Sequence, residues 1–318
     1  MSLVINHNLM AMNANRNLAG AYSSLSTSVS RLSSGLRITT AADDAAGLAI
    51  RELMRSDIAS LNQGVRNAND AISMIQTADG ALGVIDEKLI RMKELAEQAA
   101  TGTYTSDQRL IIDSEYQQMA SEITRIANAT DFNGIYLLNG NLSASGGVST
   151  WATSHTDGRT ANAMTPSGAL KVHFGTGNDS AEDYYYIAIG NATASALGVG
   201  SSADTARSNG TGNVAGAGHS ISTQQGAQEA LDALNSAITS KDNIRANLGA
   251  MQNRLENTIT NLQIQSENLQ AAESRISDVD VATEMTNFVR NQILTQSAVA
   301  MLSQANQLPQ MALQLLQG

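Results

Sequence analysis

The sequence predicts a mainly α-helical chain: a long antiparallel, coiled-coil-like helical rod from both chain ends, with a small β-rich insertion. Three observations predict it. Apolar residues recur at alternating spacings of three and four through both ends, the signature of helices that share a seam. Proline occurs twice in 318 residues and aromatics make up 3%, so long helices packed through aliphatic side chains are favoured. Finally, residues 141–222 hold 13 of the 25 glycines, the only tryptophan (Trp151) and three of the four histidines, a composition of short strands and turns.

The elements follow in order. Leu18, Tyr22, Leu25, Val29, Leu32 and Leu36 form the first stripe. A second run starts near Asp43. Leu61, Val65, Ala68, Ile72, Ile75 and Leu82 are in register, with Asp79 at the skipped position, and Ile85, Leu89, Met92, Ala96 and Ala99 continue after a stutter-like phase shift. Nothing but scattered glycines interrupts this run up to Ala100. At 1.5 Å per residue it would be about 85 Å long. Thr105-Ser106-Asp107-Gln108 is a capping box that opens a third helix carrying Ile112, Tyr116, Met119, Ile123 and Ile126. Asn133-Gly134 and Asn139-Gly140, on either side of a short apolar run, read as hairpin turns. In the middle, 169–174 and 184–189 read as strands. Leu248, Leu255, Leu262, Leu269 and Ile276 recur every seven residues as a rod seam. A last stripe runs through Leu294, Ala298, Met301, Ala305, Leu308, Ala312 and Leu315, with Pro309 expected to kink or end its helix.

Composition excludes several functions. Without cysteine there is no disulfide scaffold, thiolate metal site or thiol nucleophile. A net charge of −10 argues against a nucleic-acid partner. Glutamines interrupt every apolar run in 291–318, so no membrane insertion is expected. The opening residues have no basic segment followed by an apolar one, so no cleavable secretory signal is expected. Residues 1–42 hold Arg16, Arg31 and Arg37 and no acid, whereas 278–318 hold Asp278, Asp280, Glu284 and Arg290. The ends are thus weakly complementary, and each carries a stripe that it cannot bury alone. Lone helices of this kind are marginal in water, so the ends are expected to need each other or neighbouring copies, to be disordered in the monomer and to order on assembly.

No constellation supports catalysis, and the chain is not expected to be an enzyme or to bind a cofactor. His-Glu-x-x-His, Gly-x-Ser-x-Gly and Walker-type loops are absent. His155, Asp157, His173 and His219 match no ligand spacing and read as polar loop residues. Asp43-Asp44 reads as a helix cap. Arg91, Lys93, Glu94 and Glu97 read as a solvated face.

Five stretches carry a resemblance. Leu32-Ser33-Ser34-Gly35-Leu36-Arg37-Ile38 and Ala41-Ala42-Asp43-Asp44-Ala45-Ala46-Gly47-Leu48-Ala49-Ile50 resemble the N-terminal signature of bacterial flagellins. Phe132-Asn133-Gly134 with Leu137-Leu138 resembles the turn after their third helix. Ser274-Arg275-Ile276-Ser277-Asp278-Val279-Asp280 and the stretch Ala300 to Gln310 resemble their C-terminus. The similarity covers about residues 1–140 and 225–318. It implies a structural subunit that polymerises with copies of itself into an extracellular flagellar filament. Further implied are export without a cleavable signal, an export chaperone and a filament cap as partners, and recognition by the Toll-like receptor of vertebrate hosts. The implied domains are 1–42 plus 278–318 for terminal assembly, 43–145 plus 220–277 as the rod core, and 146–219 as a variable, solvent-exposed, β-rich part. The assembly stripes are then Leu18, Leu25, Val29, Leu32, Leu294, Met301, Leu308 and Leu315. Receptor recognition, by the same resemblance, falls on Leu89, Arg91, Leu95, Gln98 and Glu115, with Ile90 standing where well-recognised members carry glutamine. Leu89 fits the buried stripe, while Arg91 and Leu95 lie beside it. Deleting much of 150–215 is expected to leave assembly intact. A hook-filament junction protein, with similar ends, and a cytosolic coiled-coil adaptor are the alternatives. A flagellin carrying an enzymatic insertion is a third, opposed by the missing His-Glu-x-x-His.

Overall fold

The computed structural model describes residues 8–143, 168–179, 182–200 and 219–317. Its elements are α1 (Leu9–Ser34), α2 (Ala45–Ala100), α3 (Ser106–Ala129), β1 (Asp131–Phe132), β2 (Ile135–Tyr136), β3 (Leu170–His173), β4 (Tyr184–Ile187), α4 (Gln224–Ser277) and α5 (Val281–Gln317). They divide into two compact units. One runs to Ala59 and resumes at Gln265; the other is Ser60–Ile264.

Local chemistry sets the helix ends. Asn8 caps α1 by accepting the Ala11 N–H at 3.0 Å, and the Gly35 N–H closes its last turn on the Arg31 carbonyl. Asp44 accepts the Gly47 N–H at 2.9 Å at the start of α2. The capping box of α3 forms in both directions between Thr105 and Gln108. Asp280 receives the Ala282 N–H and the Thr283 hydroxyl at the start of α5. Pro309 does not end α5, which runs on to Gln317.

The Ser60–Ile264 unit has one aliphatic core. Ala68, Ile75, Leu82, Ile85, Leu89, Met92, Ala96 and Ala99 of α2 join Tyr116 and Ile123 of α3 and Leu234, Leu248 and Leu255 of α4. Helices α2 and α4 are antiparallel, since Asp79 meets Arg245 while Asp86 meets Lys241. Asp79, at the skipped seam position, carries this ionic contact in place of an apolar one. Leu262 completes the buried part of the α4 seam. Leu269 and Ile276, in the other unit, are half-buried.

Asn133-Gly134 forms the β1–β2 hairpin, with φ of +52° and +80°. Two left-handed residues are what a tight, twist-matched turn requires. The second pair, Asn139-Gly140, is not a hairpin turn: the Asn139 carbonyl oxygen of the side chain accepts the Asn141 N–H, and the Gly140 carbonyl accepts from Ser143.

The expected solvent-exposed insertion is corrected. Val172, Ile187, Ile189, Ala192, Ala194 and Val199 all belong to the helical core. The antiparallel ribbon of β3 and β4 turns Val172 and Tyr185 inward as register partners, and Arg254 of α4 lies 3.5 Å over the Tyr185 ring. Apolar alternation inside a Gly- and Ser-rich stretch buries one face wherever helices offer a surface. Deleting 150–215 would therefore remove core side chains such as Val172, Ile187 and Val199 from this unit. Trp151, His155 and Asp157 lie outside the described residues.

The ribbon reaches α2 through a close backbone approach. A Cβ on Gly64 would fall on the Phe174 carbonyl oxygen and 2.9 Å from the Phe174 Cα, beside the Asn67 amide that donates to the His173 carbonyl at 2.8 Å. Alanine in a free helical position gains up to about 1 kcal/mol over glycine. Gly64→Ala is instead expected to cost about 1–3 kcal/mol, as an overpacked site does. Gly80→Ala, with nothing within 4 Å of the added carbon, should be neutral or stabilising. Urea unfolding of both variants checks this, and equal midpoints would show that the contact yields freely.

Candidate interaction surfaces

In the unit of the chain ends, α1 packs antiparallel on α5. Asn8 Nδ2 donates to the Ala305 carbonyl at 2.7 Å, and Leu36 bridges Asp278 at the other end. The Arg37 guanidinium donates to the Ile276 carbonyl at 2.7 Å, and buried Arg51 donates to the Ile38 carbonyl at 3.0 Å. Among the described residues the weak charge complementarity of the two ends is not used as ion pairs. Among the described residues Arg31 pairs with Asp43 at 3.5 Å, while Asp278 and Asp280 accept from Ser274 and Thr283. Backbone carbonyls at helix ends are unsatisfied acceptors, and Arg37 takes the one of Ile276 in the last turn of α4.

Asp43 organises the turn before α2. One of its carboxylate oxygens accepts the N–H and hydroxyl groups of Thr39 and Thr40 at 3.0–3.2 Å. The Thr40 N–H, then the Thr39 hydroxyl and N–H, hold its pKa down at about 2, from an ordinary 3.8. A depressed carboxylate stabilises the fold above its unfolded value, and this contribution is lost as pH falls through the folded one. The window is thus 3.8 down to about 2. Asp43→Asn should melt below the parent at neutral pH, and the gap should close across that window. Thermal unfolding between pH 7 and 2 checks it; a gap independent of pH would exclude Asp43 as the titrating group.

The stripes of the two ends stay partly uncovered. Leu18, Leu25 and Leu32 are half-buried and Val29 is exposed. Leu294 is 47% and Met301 63% exposed. Leu308 and Leu315 have side chains outside the described set. Between the helices runs a groove of about 780 Å³, lined by Met10, Ala14 and Ala21 from α1 and Leu294, Ala298 and Met301 from α5. The only buried apolar side chains described in this unit are Ile38 and Ala305.

A second surface lies on α2 and α3. Arg91 is exposed and donates through Nε and Nη2 to Glu115 Oε1, at 3.1 and 2.9 Å, and through Nη1 to Glu94 at 2.9 Å. Gln98 donates to the Tyr104 hydroxyl at 3.0 Å. Exposed Ile90 and Ile111 flank the arginine and glutamate in sequence. Leu89 is fully buried, as its stripe position implied. Leu95 corrects the expectation that it lies free beside the stripe: it is 2% exposed and belongs to the core that Tyr116, Ala120 and Ile123 of α3 complete. A third helix widens the covered face of α2 beyond a two-helix seam. Of the five residues expected there, Arg91, Gln98 and Glu115 stay accessible, and Leu89 and Leu95 do not.

Among the described residues no group of three or more His, Asp or Glu could hold a metal ion, and no helix is long and apolar enough to cross a membrane. His173 stacks near Tyr184. The His219 carbonyl accepts from Gln117.

Comparison with known proteins identifies the family. Residues 5–143 match the bacterial flagellin N-terminal helical region, and residues 231–316 match the C-terminal helical region. The chain is 40% identical to flagellin FlaB2 of Treponema pallidum (strain Nichols) over 314 residues, covering 99% of this chain and all of the relative. It is 41% identical, with the same coverage, to the flagellar filament 33 kDa core protein of Treponema phagedenis. Identity to a flagellin of Halalkalibacterium halodurans is also 41%, again over 99% of this chain and all of that protein. Helical ends that match both family regions and full-length similarity to filament proteins converge: the chain belongs to the bacterial flagellin family and is a self-polymerising structural subunit of the flagellar filament.

Proposed function

We propose that the groove between α1 and α5 is the surface through which subunits join. The observation that supports this reading is the uncovered apolar stripe, with Leu294 and Met301 about half exposed or more in a groove whose apolar side chains alternate with amides, serines and Arg290. Exposed apolar patches of that kind mark interaction sites, and an unlike-face contact that does not close gives an open filament. Residues 1–42 and 278–318 then act as the assembly part, 43–145 with 220–277 as the rod, and 146–219 as the variable part. The ends gain order from neighbouring copies. Export without a cleavable signal, an export chaperone and a filament cap complete the reading. In vertebrate hosts the monomer is read by a Toll-like receptor at the exposed Arg91 and Glu115.

Seeded elongation tests the assembly reading. Removal of 294–318 and, separately, Leu294→Asp should abolish elongation from filament fragments in light scattering and negative-stain microscopy. The melting of the Ser60–Ile264 unit should be unchanged in both. Normal elongation by Leu294→Asp would move the contact elsewhere.

Recognition by the receptor is tested separately. Arg91→Ala should weaken a reporter-cell response at least tenfold, and Glu115→Ala should weaken it less, because arginine offers the larger contact and the glutamate mainly holds its fork. Equal potency of folded Arg91→Ala and parent would remove Arg91 from the recognised surface.

A further inference from the structure

We propose that the thioethers of Met10 and Met301 make subunit joining sensitive to oxidation: peroxide converts them to sulfoxides in the free monomer and blocks its addition. This rests on the reading of the α1–α5 groove as the joining surface. The two methionines come from opposite walls of that one groove, and they are 50% and 63% exposed. In contrast, Met74 and Met92 are buried in the core of the other unit. Exposure sets how fast a thioether meets an oxidant, so the groove pair reacts while the core pair is shielded.

The chemistry is a two-electron oxygen transfer. A sulfur lone pair attacks a peroxide oxygen, the S–O bond forms as the O–O bond breaks, and hydrogen peroxide leaves as water. Sulfoxide reductases reverse this with a dithiol, which is oxidised to a disulfide as the oxygen departs as water. The product is polar where the parent was apolar. An unbranched thioether adapts to an irregular facing surface; a sulfoxide oxygen buried there without a donor carries a desolvation penalty. The described lining is mixed: Ala, Leu and Met alternate with the amides of Asn13, Asn17, Asn291 and Gln304, the hydroxyls of Ser24 and Ser297, and Arg290, so the penalty falls on a sulfoxide oxygen that the facing copy turns away from these donors. Once a second copy covers the groove, the sulfurs are screened, so a filament keeps its thioethers and a free monomer loses them.

The test treats monomer with hydrogen peroxide, removes the oxidant, locates sulfoxides by mass spectrometry and measures seeded elongation. The readout for each variant is the ratio of its own treated to untreated rates. For the parent this ratio should fall on the order of tenfold or more, from the penalty of a buried unpaired polar group, and methionine sulfoxide reductases should restore it. For Met10→Leu with Met301→Leu the ratio should stay near one, while Met12→Leu with Met285→Leu, exposed outside this groove, should fall like the parent. In assembled filaments Met10 and Met301 should resist peroxide that oxidises them in monomer. Undiminished elongation of parent carrying both sulfoxides would overturn the proposal, and so would equal oxidation in monomer and filament. If the double leucine variant does not elongate untreated, the filament protection decides. Leu294→Asp separates the two ideas: its normal elongation defeats the groove reading, whereas its failure beside unimpaired oxidised parent defeats only the oxidation step.

Discussion

Leu255→Asp is expected to unfold the Ser60–Ile264 unit at temperatures where the parent is folded. Leu255 is completely buried and belongs to the cluster shared by α2, α3, α4 and the β3–β4 ribbon. Truncating such a leucine to alanine costs about 2–5 kcal/mol, through lost transfer energy and the cavity left behind. Aspartate adds the burial of a charge, or its neutralisation. The combined cost of about 5 kcal/mol or more is comparable to the whole stability of an ordinary domain. Leu269→Asp, at the same heptad phase but half-buried, should cost far less. Circular dichroism melts of the two variants, with amide exchange at 60–100 and 240–262, make the comparison. A melting temperature for Leu255→Asp equal to the parent's would mean that the seam is not buried.

That contrast shows what the sequence could and could not reveal. Periodicity located α2, α3 and the α4 seam because a residue every seven positions must face one side whatever packs there. The Thr105 and Gln108 box was legible for the same reason: its chemistry lies within four residues. What periodicity lacks is the number of neighbours. Leu95 lies outside a two-helix stripe, and only the arrival of α3 buries it. Val172 and Ile187 sit in a stretch whose composition reads as an exposed insertion, yet their alternation hid a face that α2 and α4 cover. Pairwise charge contacts were invisible too, because Asp86 and Lys241 are 155 residues apart and share no motif. Of the proposed recognition surface, Arg91 and Glu115 came from resemblance, and geometry supplied the two hydrogen bonds by which Arg91 grips one Glu115 oxygen.

The pair formed by Lys241 and Asp86 carries the second large expected effect. Lys241 has a side chain only 2% exposed, with its ammonium 2.5 Å from Asp86 and 2.8 Å from Asp242. Burial pulls its pKa down, but the Asp242 and Asp86 carboxylates outweigh it and leave the value raised above the ordinary 10.5. A raised lysine stabilises the fold fully below 10.5, and that contribution goes only as pH climbs past the folded value. Removing one partner of a buried pair is costly, whereas replacing both by apolar groups is often neutral. Lys241→Ala should therefore cost about 3 kcal/mol, and Asp86→Ala about 2, since Asp242 still faces the ammonium. Lys241→Met with Asp86→Leu should lie within about 1 kcal/mol of the parent. The exposed Arg245 and Asp79 pair should be worth about 1 kcal/mol or less. Its value is in register. A slip of α4 along α2 by one heptad keeps one ion pair and loses the other: one direction sets Lys241 on Asp79 but Arg245 against Ile72, and the other sets Arg245 on Asp86 but Lys241 against Lys93, so the charges disfavour what the apolar repeat alone would tolerate. A double-mutant cycle by urea unfolding measures the coupling of Lys241 and Asp86, expected at about 1–3 kcal/mol. Cross-linking of cysteine pairs placed on α2 and α4 reads the register of the apolar double variant. Zero coupling together with a single, unshifted register in that variant would show that the aliphatic seam aligns the helices by itself.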